Sequence, residues 1–343
     1  MIEELKTFFN NNLGKKINGI GVFVYNGYNT YSSSDPHIEE CFDKYEAQEV
    51  YDAFDEIFEE VLLYPSEESF ISSLNYLKNK TVYVYTMAQF TKGYARRALV
   101  PALCEYYGFT NINADTYTSV IGVNKKTTFA LLPQFDKYFP KTDYISKENI
   151  SDLYALLKNH SKRIIIKPDC ESCCIDVEVF DKSDFDGVFC HCSKLIQKYK
   201  FLILQDFIEG REVGLTLVNF ENNFVALQPI EIKYKTYKDY LTNIDSRYTN
   251  LDFVFSDIDS KIKNTAIQIA KILEFTGISR FDFRICDDGS YYLFDISPNP
   301  TLSGGSSCNL AFINAVDGNY KSIYQFLAFN SLLKPSLNTA EHN

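Results

Sequence analysis

The chain has 343 residues with 34 basic and 45 acidic side chains, so its formal charge is −11; 45% of it is apolar and 23% charged. That is the composition of an ordered globular protein of two or three domains, not of a disordered or fibrous one. A pI near 5.0 argues against nucleic acid or an anionic membrane as partner, because both demand a positive surface to displace counterions, while a local basic pocket for a small phosphate ligand stays allowed.

The acidic start, MIEELKTFFNNNLGKK, is not a signal peptide, and no apolar run approaches the roughly 20 residues that span a bilayer. Nine cysteines, an odd number, without an export signal point to reduced thiols in the cytoplasm. Residues 19 to 25, GIGVFVY, form an apolar run that predicts a buried strand, and 38 to 61 carry Phe42, Tyr45, Val50, Phe54, Phe58 and Val61 at helical spacing. A second strand, Thr81 to Tyr85, leads to a helix over Arg96 to Tyr107, stopped by Gly108. This alternation predicts a parallel α/β layer and a first domain over residues 1–118.

From about 120 the texture changes to a short helix with Lys125 and Lys126, two prolines, and the strands RIIIKP and IDVEVF joined by a Cys-rich loop. We expect a small, partly antiparallel domain over 119–204. The remainder, 205–343, begins with strands EVGLTLV and FVALQPIEI, followed by an amphipathic helix at 259 to 275 and a hairpin.

In the hairpin RFDFRIC-DDGS-YYLFDI both arms alternate around an Asp-Gly turn. If Cys286 faces Tyr291, then Asp282 faces Asp295; Arg280, Asp282 and Arg284 share one face, opposite Tyr291, Leu293 and Asp295. Two opposed acids with side chains rooted roughly 5 Å apart repel unless a cation or a proton lies between them. One reading is that Arg280 and Arg284 neutralise them on a solvated face; the other is a divalent cation, Mg²⁺, bridging phosphates. The following SPNPTLSGGSS brings Ser297, Asn299 and a Gly304-Gly305 turn close to the acids, and metal and anion donors together suggest phosphoryl chemistry.

Six blocks, in order, carry a family resemblance: GYARRALVPALCEYYGF, VNKKTTFALL, RIIIKP, ILQDFIEGRE, RFDF and FDISPNPTLSGGSS. They resemble the ATP-grasp enzymes of the D-alanine-D-alanine ligase-like group, over about residues 80 to 312. The resemblance implies an α/β ATP-grasp fold of three domains, with ATP between the small and C-terminal ones. It implies a ligase that converts a carboxylate to an acylphosphate, releases ADP and joins an amine to form an amide. Its substrates would be small amino acids or peptides, with no nucleic acid and no membrane as partner. Family members commonly dimerise, and no residue pattern here marks an interface.

By position, Lys125 and Lys167 would hold the α and β phosphates. Backbone groups of Asp206 and Ile208 would meet the adenine edge, with Gln205, where the family has Glu, accepting from its amino group, and Glu212 taking the ribose hydroxyls. Asp282 and Asp295 would hold magnesium, with Arg280 stabilising charge at the γ-phosphate. Arg247 would match the γ-phosphate lysine, with Lys233, Lys235 and Lys238 competing for that role. Ser306, or its neighbour Ser307, would contact the carboxylate of the incoming amine.

Two departures stand out. Ser297 takes the place of the family's metal-binding Asn, for which Asn299 could compensate. The loop after Lys167 reads DCESCCIDVE where the family has glycine and serine, so free access to positive φ is lost. These departures leave two alternatives: a ligase for other amino acids or for a peptide, or a non-catalytic ATP-binding homologue. The cysteines and histidine between Cys170 and Cys192 also raise the alternative of a zinc site.

Overall fold

The computed structural model describes residues 1–30, 32, 35–89, 93, 95–234 and 251–333. The first part runs α1 (Ile2–Asn12), β1 (Ile17–Val24), α2 (Lys44–Asp55), β2 (Phe58–Tyr64), α3 (Glu67–Leu77), β3 (Val82–Thr86), α4 (Leu99–Tyr107) and β4 (Thr110–Asn111). Its four strands pair in the order β2-β1-β3-β4, and every pairing is parallel, as the alternation predicts. The helical spacing over 38 to 61 holds only for α2. An Asp43–Glu46 capping box opens that helix, and beyond Asp55 the chain turns at once into β2, so Phe58 and Val61 are strand residues. Gly108 ends α4 in the left-handed conformation at φ 71°.

The middle part comprises α5 (Thr116–Ile121), α6 (Lys125–Ala130), β5 (Thr142–Ile145), α7 (Leu153–Lys158), β6 (Arg163–Pro168), β7 (Glu178–Asp181), α8 (Phe185–Leu195) and β8 (Leu202–Asp206). Its sheet is antiparallel throughout, in the order β5-β8-β6-β7. The last part holds β9 (Arg211–Phe220), β10 (Asn223–Ala226), β11 (Ile230–Tyr234), β12 (Leu251–Phe255), α9 (Ser260–Ile272), β13 (Ile278–Ile285), β14 (Tyr291–Ser297), α10 (Ser307–Val316) and α11 (Ser322–Ser331). A second antiparallel sheet, β12-β11-β9-β13-β14 with β10 on β9, forms its floor. The apolar run FVALQPIEI is therefore two strands, β10 and β11, and not one.

Packing ties the first and last parts together. One face of the parallel sheet is covered by Phe70, Leu74 and Leu77 of α3 and Val100 and Cys104 of α4. The other face meets α2 and the two C-terminal helices in one core that joins Phe23, Phe54 and Tyr85 to Phe312, Tyr324 and Phe326. At about 2 to 3 kcal/mol per fully buried large apolar side chain, this shared core makes the tail of the chain integral to the first sheet. The described residues contain no helix long and apolar enough to cross a membrane.

Candidate active site

The hairpin β13–β14 sets the site. Asp282 pairs with Asp295, but by a different route from the simple register: Cys286 N–H bonds to Ser290, Phe283 pairs with Leu293, and a bulge at Phe294 restores the Asp–Asp pairing. The bulge also reverses the face on which side chains emerge. Leu293 joins Phe281 and Phe283 in the core below, whereas Phe294 and Asp295 join Arg280, Asp282 and Arg284 along a cavity of about 390 Å³. Leu293 thus lies opposite to its expected face. The cavity draws walls from all three parts of the chain: Met87, Gln89 and Arg97 from the first, Lys125, Lys167 and Gln205 from the middle, and Glu212, Arg280 and Asp295 from the last.

Asp282 is not on a solvated face, and Asp295 is half-buried. Asp282 is 4% exposed and held in a two-pronged fork by Arg280, with Nε at 2.7 Å from Oδ1 and Nη2 at 2.9 Å from Oδ2. Arg284 goes instead to Glu212, at 2.6 Å. Asp295 meets the Lys125 ammonium at 3.3 Å. Burial alone would push the Asp295 carboxyl up, but Lys125, Lys167 and Arg280 outweigh it and hold it below the usual carboxylate range. Lys167 is buried in turn and its pKa falls to about 8, against the pull of Asp295 in the other direction. Its ammonium is anchored by the Phe294 carbonyl at 3.0 Å, a group that the bulge turns toward it. Two lysines of the middle part, Lys125 at the start of α6 and Lys167 on β6, thus converge on the acids of the hairpin.

At the other end of the cavity β8 runs out into residues 207–209. Asp206 N–H is taken by Lys141 and Phe207 N–H by Arg163, whereas Ile208 N–H has no hydrogen-bond partner among the described residues. A carbonyl from Asp206 and a donor from Ile208 are therefore what this strand end can offer a planar base. Its side-chain anchor was not legible beforehand: His160 is sandwiched between Asp206 at 2.7 Å and Asp143 at 3.0 Å. Glu212, held by Arg284 and by Tyr234 at 2.9 Å, stands beside this end. Burial raises its pKa despite the arginine.

Between the two ends lies the loop that lacks glycine. It reaches positive φ all the same, at Cys173 (52°), Cys174 (52°) and Asp176 (57°). Conformations so unfavourable for ordinary residues persist where neighbours over-determine them. Ser172 Oγ bonds Glu40, Arg97 holds Ser172 at 3.0 Å, Arg96 pairs with both Glu40 and Glu171 at 3.0 Å, and Lys125 grips the Glu171 carbonyl at 2.9 Å. Lys198 and Tyr199 hold Asp176 on the far side. Sequence reasoning missed this buried ionic network because its partners lie far apart in the chain, Arg96 and Glu40 by 56 residues and Arg97 and Ser172 by 75. The adjacent Arg96-Arg97 pair in an otherwise apolar stretch was the one signal available.

Ser297, Asn299, Ser306 and Ser307 also border the cavity. Ser297 pairs with Arg280 in register, and Ser306 caps α10 through Asn309 N–H at 3.2 Å. Asn299 is committed elsewhere: Asn113 Nδ2 donates to its Oδ1 at 2.6 Å and its own Nδ2 donates to the Thr86 carbonyl at 3.1 Å. These two bonds make it a tie between the SPNPTLSGGSS segment, the signature loop, and the parallel sheet. Gly122 lies against the same loop so closely that a Cβ would sit 2.1 Å from Pro298 Cγ. Arg247, Lys235 and Lys238 lie outside the described residues, and Lys233 lies 3.9 Å from Glu231. No three His, Cys, Asp or Glu side chains gather to hold a metal among the described residues, and none of the nine cysteines is in a disulfide. The cysteines raised as zinc ligands are dispersed: Cys192 is packed in the core of the middle part, while Cys190 is exposed.

Paired acids and convergent lysines are thus set between two antiparallel sheets, with the open end of β8 at the far side of the same cavity. In fold, the chain matches the crystal structure of D-alanine–D-alanine ligase from Bacillus anthracis complexed with ATP, with a TM-score of 0.66 and 14% identity over 92% of this chain and 97% of that one. In sequence, residues 190–323 match the family model described as D-ala D-ala ligase C-terminus. The chain is similar to D-alanine–D-alanine ligases of Pelagibacter ubique, 24% identical over 50% of this chain, and Thermosipho melanesiensis, 25% identical over 58%. It spans about half the length of each, 54% and 55%.

Proposed function

We propose that the protein is an ATP-dependent carboxylate–amine ligase that forms an amide through an acylphosphate and releases ADP and phosphate. The observation that carries this reading is the convergence, in one cavity, of Lys125, Lys167 and Arg280 on the opposed acids Asp282 and Asp295. Phosphoryl transfer asks a protein mainly for positioning and for charge to meet charge. In this reading Lys125 and Lys167 bind the phosphates, and the Asp206 carbonyl, Ile208 N–H and Gln205 read the base, while Glu212 receives the ribose. Asp282 and Asp295, with Ser297 alongside, suit a hard cation that keeps water and phosphate oxygens as its other ligands, which is Mg²⁺. Bound there, Mg²⁺ would supply charge neutralisation for the phosphates. Arg280 would have to leave its fork on Asp282, freeing the guanidinium for the transferring phosphoryl group.

The α10 N-terminus with Ser306 and Ser307 offers hydroxyl and amide donors to the carboxylate of the incoming amine. The substrates we infer are small amino acids, and D-alanine, named in the relatives, is the first to try. Nine cysteines with no disulfide among them fit a cytoplasmic setting. The test is phosphate release from Mg-ATP with pooled D- and L-amino acids, with products read by mass. A dipeptide mass appearing with phosphate supports the ligase and identifies its substrates. ATP binding without phosphate release, over amino acids and dipeptides alike, would instead favour a non-catalytic nucleotide-binding protein.

A further inference from the structure

We propose that Thr142 is a positioning residue that locks the Gln205 amide with its oxygen toward the base, and so gives this site its preference for a 6-amino purine. The inference rests on reading the cavity as the ATP site. Gln205 is 1% exposed and borders the cavity, and it pairs in register with Thr142 across β5 and β8. Unlike a carboxylate, an amide has one donating and one accepting end, so its orientation decides what it can recognise.

A chain of two hydrogen bonds settles that orientation. Thr142 Oγ1 donates to the Pro140 carbonyl at 2.7 Å. A hydroxyl has a single proton and a carbonyl can only accept, so with that proton committed Oγ1 can only accept from its other neighbour. The Gln205 group at 2.8 Å from Oγ1 must then be the NH₂, as found. The amide oxygen, which has no partner among the described residues, is left for the cavity. Turning the amide over would oblige Thr142 to abandon Pro140, one buried hydrogen bond lost, which corresponds to about a tenfold bias. A base with an exocyclic amine donates to the oxygen so presented; a base without one does not.

The experiment measures dissociation constants for ATP and for purine riboside triphosphate, which lacks only the 6-amino group. The wild-type protein should bind ATP about tenfold more tightly or better. Thr142→Val, and Thr142→Ala as a second variant, should lower the preference by about twofold or more, because the amide then turns freely and ATP must select one of its two orientations. Thr142→Ser should keep it. Adding Gln205→Glu to Thr142→Val should restore it, since a carboxylate accepts whichever way it faces, and that rescue is one that a merely structural role of Thr142 would not produce. An unchanged preference in both hydroxyl-free variants, or failure of the double variant to restore it, overturns the inference. Binding of neither nucleotide by the wild-type protein overturns the ATP-site reading and this inference with it.

Discussion

Lys167 provides the sharpest pH-dependent consequence of the site. Burial lowers its pKa from 10.5 to about 8, with Asp295 opposing and Lys125 adding to the drop. At pH 9 roughly one Lys167 in eleven would keep its charge, so an ATP site that needs the ammonium loses about tenfold in kcat/KM for ATP per pH unit above 8. The assay is kcat/KM for ATP from pH 6 to 10 at constant ionic strength. Asp295→Asn removes the acid that supports the charge, and should lower the Lys167 pKa of the ligand-free protein, read from the pH dependence of its stability rather than of its activity. Lys167→Arg should abolish the limb, since a guanidinium does not deprotonate in this range. The same pKa has a stability consequence of opposite sign. Because the folded-state value lies below the unfolded one, the unfolded chain binds more protons between about pH 8 and 10.5, and the cost of burying the charge is fully present at pH 7. Lys167→Met should therefore stabilise the ligand-free protein at pH 7 by up to about 3 kcal/mol, lose that advantage by about pH 10.5, and abolish stabilisation by ATP. A flat kcat/KM profile to pH 10, or a limb that persists in Lys167→Arg, would refute the reasoning.

Three further outcomes follow from the packing around the site. Asn113→Ala removes the donor to Asn299 and the acceptor for Ile278 N–H, so it should cost about 2 to 4 kcal/mol in denaturant unfolding and lower kcat by freeing the signature loop. Gly122→Ala would drive a methyl group into Pro298 and should lower both the melting temperature and the activity; a fully active, equally stable variant would mean that the loop is not held by this contact. Asp169 is fully buried, its carboxylate oxygens lack close hydrogen-bond partners among the described residues, and burial raises its pKa to about 6 despite Lys125 and the Cys170 thiol nearby. The folded-state value lies above the unfolded one, so the penalty is fully present above pH 6 and relieved as pH falls toward 4. Asp169→Asn should stabilise the protein by about 1 to 2 kcal/mol at pH 8 and by nothing near pH 4, as read by thermal melts at both.

Local patterns announced much of this architecture and long-range pairing supplied the rest. The strand–helix alternation of the first 118 residues and the lysine strand around Lys167 are periodic features, so they could be read from neighbouring residues alone. The pairing of Asp282 with Asp295 could also be reached by register, yet the reading could not foresee the bulge at Phe294, since nothing in YYLFDIS distinguishes seven regular residues from six and an insertion. That single residue moves Leu293 into the core and turns a carbonyl toward Lys167. The helical period over 38 to 61 failed at Phe58 because apolar spacing does not register the turn after Asp55 that starts β2. The Glu40–Arg96–Arg97–Glu171 network and the Asp143–His160–Asp206 sandwich stayed hidden because burial of a charge depends on a partner from another part of the chain.

The central claim is that a carboxylate becomes an acylphosphate in this cavity, and oxygen transfer tests it most directly. A substrate amino acid labelled with ¹⁸O in its carboxylate would be turned over with unlabelled Mg-ATP and amine, and the released phosphate analysed by mass. Attack of the carboxylate on the γ-phosphate predicts one ¹⁸O atom in each phosphate released. Amide formed while the phosphate stays unlabelled would contradict the account.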